Sequence, residues 1–475
     1  MNLLFVFADE LRAQSVSVNN AEVATPVLNQ LAGDGVYFSN AYSNMPVCTP
    51  ARGSLLTGCW PHVHQAIAND LPVTPAAPSF ARSLKAEGYL CGYVGKWHLG
   101  GLPRNRFVPP GEQRLGFDDF WASWNCHYGH FQPRWHEDGP ELQEAPGRYE
   151  PELVTENAIR GLNRFASIDE DRPFCLVVSY GPPHFPYFPL PPDMDGVYDP
   201  DALTLRPNCA EDAAERQDLA AYYAHTTAVD RELGRLVAGL EEAGKLDDTL
   251  VVYTSDHGTM LGSHGLHHKQ VPYEESVGIP LVMRGAGSKL GPRGRRDDIL
   301  IGIVDLAPTL LGILGVAPEA PMQGRDLSAE IADPDSASRP DSVYLQNAIA
   351  VDQAAWEGVP PWRAVRTARF TYARTVDAPW LLFDNLSDPY QMTNLADDLE
   401  AAGIRAELDS LLGQWSQETG EPEVPEDDYI RFCGLEGAWA DRAKWFEQFW
   451  EALDRARQSD DPEAAMEAAR TAAGA

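Results

Sequence analysis

The sequence predicts an α/β fold: a large, mostly parallel sheet flanked by helices, followed by a smaller C-terminal α+β domain. Three observations lead there. Short apolar, β-type runs alternate with amphipathic helical stretches through roughly the first two-thirds of the chain. Four of these runs lead directly into chemically capable residues, and in open α/β sheets ligands sit outside the carboxyl ends of the strands. At 475 residues, with 44% hydrophobic and 10% aromatic residues, the chain can build more than one core and has the composition of a folded protein.

The elements follow in order. LLFVF, 3–7, leads into Asp9 and Glu10, and YLCGYV, 89–94, leads into Gly95, Lys96, Trp97 and His98. FCLVVS, 174–179, leads into Gly181 and His184, after which the proline-dense stretch 181–200 suits an extended surface loop forming a cleft wall. Residues 214–243 are helical by pattern, with Gly244 placed to end the helix, so this segment is expected to cross over and feed a parallel strand. That strand is LVVYT, 250–254, followed by Asp256, His257 and Gly258. From about Ala332 the character changes: ADPDSASRPDS reads as a linker, 364–374 and 380–383 as strands, and LSDPYQMTNLADD as a turn entering a helix. The expected division is a catalytic α/β domain over 1–335, a small α+β domain over 336–425 and a helical extension over 426–475. In the extension, Trp439, Phe446, Phe449, Trp450 and Leu453 recur at helical spacing, a packing stripe expected to dock on the main body or on a second subunit of a homo-oligomer. The Ala/Glu-rich tail, 459–475, is expected to fray.

The charge balance, 37 Lys plus Arg against 70 Asp plus Glu for a net of -33, repels phosphate backbones and argues against nucleic acid as a partner. An anionic substrate would require a local cationic pocket. Seven scattered cysteines do not form a disulfide framework, and Cys91 and Cys175, in apolar runs, read as core. The start, MNLLFVFADELR, reads as a buried strand without a basic leader. No run is long enough to span a membrane, so no membrane partner is expected. The expected location is cytoplasmic, with periplasm or secretion as the alternative if a leader has been removed.

PVCTPARGSLLTG, 46–58, sets Cys48 at or just before a helix N-terminus, because proline is favoured at the first helical position and Pro50 follows closely. Backbone N–H groups and the helix dipole favour anions there, and Arg52 lies one turn onward. Taken alone, the stretch fits a buried structural thiol as well as a reactive one.

CTPARGSLLTG resembles the Cys-x-Pro-x-Arg signature, with its trailing Leu-Thr-Gly, of the type I sulfatases of the alkaline phosphatase superfamily. The likeness extends through FADELR, TPVLNQLAGDGVYFSNAYS, GKWHLG, SYGPPHFPY, YTSDHGTMLGSHGLHHK, VDLAPTLLGILG and LFDNLSDPYQMTNLA. It implies that Cys48 is oxidised to formylglycine by a maturation enzyme. One hydroxyl of the aldehyde hydrate then attacks sulfur, and the other expels sulfate, a route closed to a serine ester. The resemblance also implies a metal site of Asp9, Glu10, Cys48, Asp256 and His257, suited to Ca²⁺ with Mg²⁺ or Mn²⁺ as alternatives. The commonest family pattern has paired aspartates in place of Asp9-Glu10, and often asparagine in place of His257. By family position Lys96 and Lys269 hold sulfate oxygens and Arg52 braces the formylglycine. His98 takes the proton from the remaining hydroxyl, and His184 binds sulfate and protonates the departing alcohol. Together these cations supply the pocket that a protein of net charge -33 otherwise lacks. A zinc site of His264, His267 and His268 is the weaker reading of SHGLHHK, because the spacing is poor and no carboxylate or thiolate partner is at hand.

The leaving group is expected to meet PHVHQAIAND, 61–70, and FDDFWASWNCHYGHFQPRW, 117–135. Their His64, Asn69, Asn125 and His127 can hydrogen-bond hydroxyls, whereas Trp121 reads as core. These stretches resemble counterparts in bacterial carbohydrate sulfatases, which implies a sulfated saccharide, with a galactose-type unit as the specific expectation. Two alternatives stand beside it: a phosphonate monoester hydrolase or phosphodiesterase on the same scaffold, and a non-catalytic sulfated-glycan-binding protein should Cys48 stay unmodified.

Overall fold

A computed structural model describes residues 1–285 and 287–457; the tail expected to fray lies outside the described residues. The main sheet has eight strands. In chain order the first four are β1 (Asn2–Asp9), β2 (Gly35–Tyr42), β3 (Leu90–Lys96) and β4 (Phe120–Trp124). A small ribbon of β5 (Arg134–Trp135) and β6 (Gln143–Glu144) intervenes, followed by β7 (Phe174–Pro183), β8 (Thr249–Ser255), β9 (Leu281–Arg284) and β10 (Arg295–Gly302). The strand order is β10-β2-β9-β8-β1-β7-β3-β4, and β9 alone runs antiparallel to its neighbours. The sheet is therefore mostly parallel, as the sequence predicts.

Central β1 shows why these strands read as unbroken apolar runs. Every one of its residues is buried. Leu3, Phe5 and Phe7 enter one core together with Ala51 and Leu55, while Leu4, Val6 and Ala8 enter the opposite core with Leu233 and Leu236. The period-2 alternation thus divides one strand between two helical layers. The crossover helix Ala213–Glu242 ends before Gly244, whose φ of +66° suits glycine, and it carries the chain from β7 across β1 to the parallel strand β8. Strands β1, β3, β7 and β8 consequently deliver their carboxyl ends to the same edge.

The C-terminal sheet holds β11 (Ser342–Asn347), β12 (Trp362–Thr367), β13 (Phe370–Arg374) and β14 (Pro379–Asp384), antiparallel in that order. Two differences from the sequence reading appear. Residues 364–374, read as one strand, form a hairpin, because the Thr367 hydroxyl accepts from the Arg369 and Phe370 N–H groups and turns the chain. Strand β11 begins at Ser342, the last residue of ADPDSASRPDS, where the sequence predicts a linker and no strand. One face of this sheet joins Tyr42, Val277 and Leu300 of the main body; the other packs under the helix Ala402–Thr419. The C-terminal helix, Glu436–Arg457, docks Trp439 against Ile67, Leu71 and Ile349. Farther along, Phe446, Phe449, Trp450 and Leu453 line a cavity, so the expected packing stripe only partly packs. All seven cysteines are free, with Cys91 and Cys175 in the core. No helix among the described residues is long and apolar enough to cross a membrane.

Candidate active site

Four strand ends and one helix converge. Asp9 closes β1, Lys96 closes β3 with His98 just beyond, His184 follows β7, and Asp256 and His257 follow β8. Cys48 is the first residue of the helix Cys48–Thr57, at which the backbone N–H groups of the first turn are directed. Tight backbone geometry shapes the strand ends. At Gly95 a Cβ would stand 1.9 Å from the Ser179 carbonyl oxygen, and Glu10 and His98 hold left-handed φ values of 68° and 54°, sparsely populated for non-glycine residues and common at active sites.

Arg52 organises the centre. Fully buried, it donates from Nε to Asp256 Oδ2 and from Nη2 to Asp9 Oδ2, each at 3.0 Å, and from Nη1 to the Lys96 carbonyl at 2.7 Å and Ser179 Oγ at 2.8 Å. With both Oδ2 atoms held by Arg52, Asp9 Oδ1 faces Cys48, while Asp256 Oδ1 accepts from the Glu10 and His257 N–H groups at 3.1 and 2.9 Å. The Cys48 Sγ lies 3.6 Å from Asp9 Oδ1 and 3.2 Å from His257 Nε2. One ligand atom each from Asp9, Cys48, Asp256 and His257 falls within 4.8 Å of the others. Two carboxylates, a position for a further donor and an imidazole fit a divalent cation. The His257 Nδ1–H donates to the Gly258 carbonyl at 2.8 Å, which leaves the Nε2 lone pair facing the cluster.

The electrostatics agree with that fit. Burial and the adjacent Asp9 charge push the Asp256 carboxyl above its ordinary range, the mark of negative charge short of compensation. For Asp9, burial and Cys48 act upward, but Lys96 at 2.5 Å, His184 and Arg52 outweigh them and hold it well below the carboxylate range. Burial lowers His257, yet Asp256 and Cys48 win and raise it to about 9, so a cation there would replace a proton.

Glu10 differs from its expected role. It is absent from the four-residue cluster and falls in a second grouping with Asp9 and His184. Its Oε2 sits 3.0 Å from Lys269 Nζ and 3.1 Å from His184 Nε2, while the buried Oε1 has no partner. Lys269 Nζ also lies 3.1 Å from His184 Nε2, so these three residues form one unit beside the cation cluster. His98 Nε2 faces Asp70 Oδ1 at 3.2 Å, and Asp70 in turn accepts from Arg104 Nε and Nη2 at 3.0 and 2.8 Å. Burial works against charge on His98, but Cys126 and Asp70 raise it to about 10. Lys96, Lys269, Arg52 and Arg104 thus gather positive charge in an acidic protein.

Beyond Lys269 and Tyr128, whose ring stacks on His184 at 5.0 Å, a cavity of about 740 Å³ opens. Asn69 and His127 line it. Burial lowers His127 to about 4, and its ring stacks on Trp124 with both nitrogens buried and unpartnered. Two of the expected substrate contacts lie elsewhere. His64 is buried behind the Cys48–Thr57 helix, where it meets Ser54 Oγ and accepts from the Ala66 N–H. Asn125 uses both ends of its amide on the backbone of Gly100 and Gly101. His264 and His267 pair with Asn208 and Glu215, and none of the three SHGLHHK histidines joins a metal grouping among the described residues. Trp121 is core, as expected. The sequence does not single out Asp70, Arg104 or Tyr128, and it predicts the C-terminal helix without placing it at the cavity. Asp70 was within sight, adjoining Asn69 in a stretch already singled out.

Comparison with known proteins fits this geometry. The sulfatase family profile matches residues 1–316, and that of the C-terminal region of N-sulphoglucosamine sulphohydrolase matches 262–418. An ulvan-active sulfatase of Formosa agariphila is 35% identical over 436 residues, 90% of this chain and 84% of the relative. An endo-4-O-sulfatase of Bacteroides thetaiotaomicron is 30% identical, covering 90% and 93%. Among solved structures, a B. thetaiotaomicron protein from work on the metabolism of multiple glycosaminoglycans superposes with a TM-score of 0.80 at 27% identity, covering 89% of this chain and 97% of that one. A phosphonate monoester hydrolase of Agrobacterium radiobacter, at 23% identity and a TM-score of 0.72 over 88% and 96%, shares the fold.

Proposed function

Because the chain belongs to the sulfatase family and is a sulfuric ester hydrolase of alkaline-phosphatase-like fold, we propose that it removes sulfate from a saccharide, using Cys48 as the precursor of formylglycine beside a divalent cation. The observation that carries this reading is the meeting of Asp9, Cys48, Asp256 and His257 within 4.8 Å. Hydrated formylglycine supplies an oxygen nucleophile for sulfur and a second hydroxyl whose deprotonation releases sulfate, and the cation supplies Lewis acidity to both. Asp9, Asp256 and His257 would hold the cation, with the unpartnered Glu10 Oε1 beside them, and Arg52 fixes both aspartates. The oxygen-rich donor set favours Ca²⁺ over Mg²⁺ or Mn²⁺.

The remaining residues divide between sulfate and protons. Lys96 and Lys269 carry permanent positive charge to the sulfate oxygens, because their carboxylate and Cys48 neighbours outweigh burial and hold both ammonium groups above their ordinary range. His184, beside Lys269 and stacked on Tyr128, two residues that line the cavity, delivers a proton to the alcohol oxygen as the S–O bond breaks. His98, its ring fixed by Asp70 and its charge held up to about 10, serves residue 48 as a charged hydrogen-bond donor and not as the base the resemblance implies. Mass spectrometry of the tryptic peptide spanning Cys48, with metal analysis of the same sample, tests the reading. The expected result is the aldehyde form and about one divalent ion per chain. Unmodified thiol in protein from its native host would leave a binding protein instead. Faster turnover of an aryl phosphonate than of an aryl sulfate would favour the second reading, a phosphonate monoester hydrolase, which the Asp256-His257 pair beside Cys48 keeps open.

A further inference from the structure

The C-terminal helix, Glu436–Arg457, lies beyond both family matches, which end at 316 and 418, yet it walls the catalytic cavity. The cavity starts at Lys269 and runs outward between Phe446, Phe449 and Trp450 on this helix and Trp356 of the short helix Gln353–Trp356. Its volume, about 740 Å³, falls well inside the range of roughly 300 to 1,000 Å³ seen for pockets that enclose whole drug-sized ligands, so one sugar ring does not fill it. Trp356 and Trp450 are 68% and 42% exposed and face each other edge-on at 6.2 Å. Such large apolar rings left open beside an active site mark a contact surface, and aromatic faces bordered by hydrogen-bonding groups suit the C–H faces and hydroxyls of sugars.

The wall is also anchored to the chemistry. Arg442 Nε donates to the Asn69 carbonyl at 2.8 Å, and its Nη2 reaches Asp352 Oδ1 at 3.1 Å. Its guanidinium lies over the Phe446 ring at 4.6 Å. Asn69 Oδ1 in turn accepts from the N–H of Thr49, the residue after Cys48. The aromatic surface is therefore held in register with residue 48 through two hydrogen bonds.

We propose that this wall binds the part of the substrate beyond the sulfated unit: a neighbouring sugar of a sulfated oligosaccharide, stacked on Phe449 and Trp450. The inference rests on the carbohydrate sulfatase reading and names the substrate class as oligosaccharide in place of monosaccharide. The test is steady-state kinetics on sulfated mono- and oligosaccharides matched in the sulfated unit, for the full-length protein and for Trp450→Ala and Phe449→Ala. The expected wild-type gain in kcat/KM on lengthening is about 10-fold. Each variant removes most of that gain through KM and leaves the monosaccharide within about twofold. Trp356→Ala, at a still more exposed position, supplies a second variant should either of the others lose its fold. No length gain in the wild type, or equal losses on both lengths in the variants, overturns the inference while leaving the carbohydrate reading intact. Hydrolysis of an aryl sulfate with no saccharide of either length accepted overturns both.

Discussion

The two sides of the cavity are built on opposite principles. On the catalytic side, Asp9, Lys96, Asp256, His257 and Lys269 are buried, and each is met by a charged partner from a distant segment of the chain. On the C-terminal side, rings from one helix are partly exposed and make few polar contacts. Transferring charge requires dry, fixed dipoles, because an electrostatic contact gains strength where water is excluded and reorganisation is small. Selecting a leaving group requires only a surface of the right shape. A helix that follows the segments matched by the family profiles can supply that surface without disturbing the strand ends.

The sharpest way to break this comparison is at its catalytic pole. Cys48→Ala removes the precursor of the nucleophile and is expected to lower turnover by at least about 10⁴-fold, since groups acting as a unit fail together. No single wall variant should reach about 10²-fold. Activity assays on one sulfated saccharide, alongside thermal melts, check both statements. A wall substitution that abolished turnover while Cys48→Ala retained it would reverse the assignment of the two sides.

His184 stands on the boundary, since it touches Glu10 and Lys269 on one side and stacks on Tyr128 on the other. His184→Ala is expected to cost roughly 10² to 10⁴ on a saccharide sulfate, whose alkoxide must be protonated to leave. On an activated aryl sulfate, which departs without help, the expected loss is only about tenfold. Equal losses on the two substrates would remove His184 from the acid role and leave it as a sulfate contact.

The same contrast explains what was legible in the sequence. Buried parallel strands must be apolar on both faces, so LLFVF and LVVYT announce themselves, and the polar residues that follow them are strand ends by necessity. Asp9, Asp256 and His257 could therefore be picked out as strand-end residues, whereas the role of Cys48 and the joint metal set came only from the resemblance to the type I sulfatases. Asp70 and Arg104 escaped because their importance lies in contacts across 28 to 34 residues of sequence, which no local pattern encodes. His64 and Asn125 misled for the converse reason: a loop histidine or asparagine looks available for ligand when its hydrogen bonds go to nearby backbone and side chains. The helical period of Trp439, Phe446, Phe449, Trp450 and Leu453 revealed an apolar stripe but not that all of it beyond Trp439 lines a cavity, because periodicity fixes a face and not its neighbour.

The smallest effect separates the two sides by acid. Asp70 is buried, and although burial raises its pKa, Arg104 and His98 outweigh that and hold it well below the ordinary carboxylate range. The unfolded chain, with an aspartate pKa of about 3.9, binds more protons than the native protein as pH falls. Stability from this group is therefore complete above that value and is lost as pH drops through it toward the lower native value. Asp70→Asn should melt lower than wild type at pH 7 but lose less stability between about pH 5 and 3, because one of the titrating groups is gone. Trp356→Ala should keep the wild-type acid slope and melt within about 2 °C of it, since an exposed ring contributes no more than about 0.5 kcal/mol. Thermal melts across that pH range read both variants. An Asp70→Asn protein with the full wild-type slope would show that the Asp70 ion pairs do not set native proton affinity. A changed slope in Trp356→Ala would show that the wall is electrostatically coupled to the centre and not merely placed beside it.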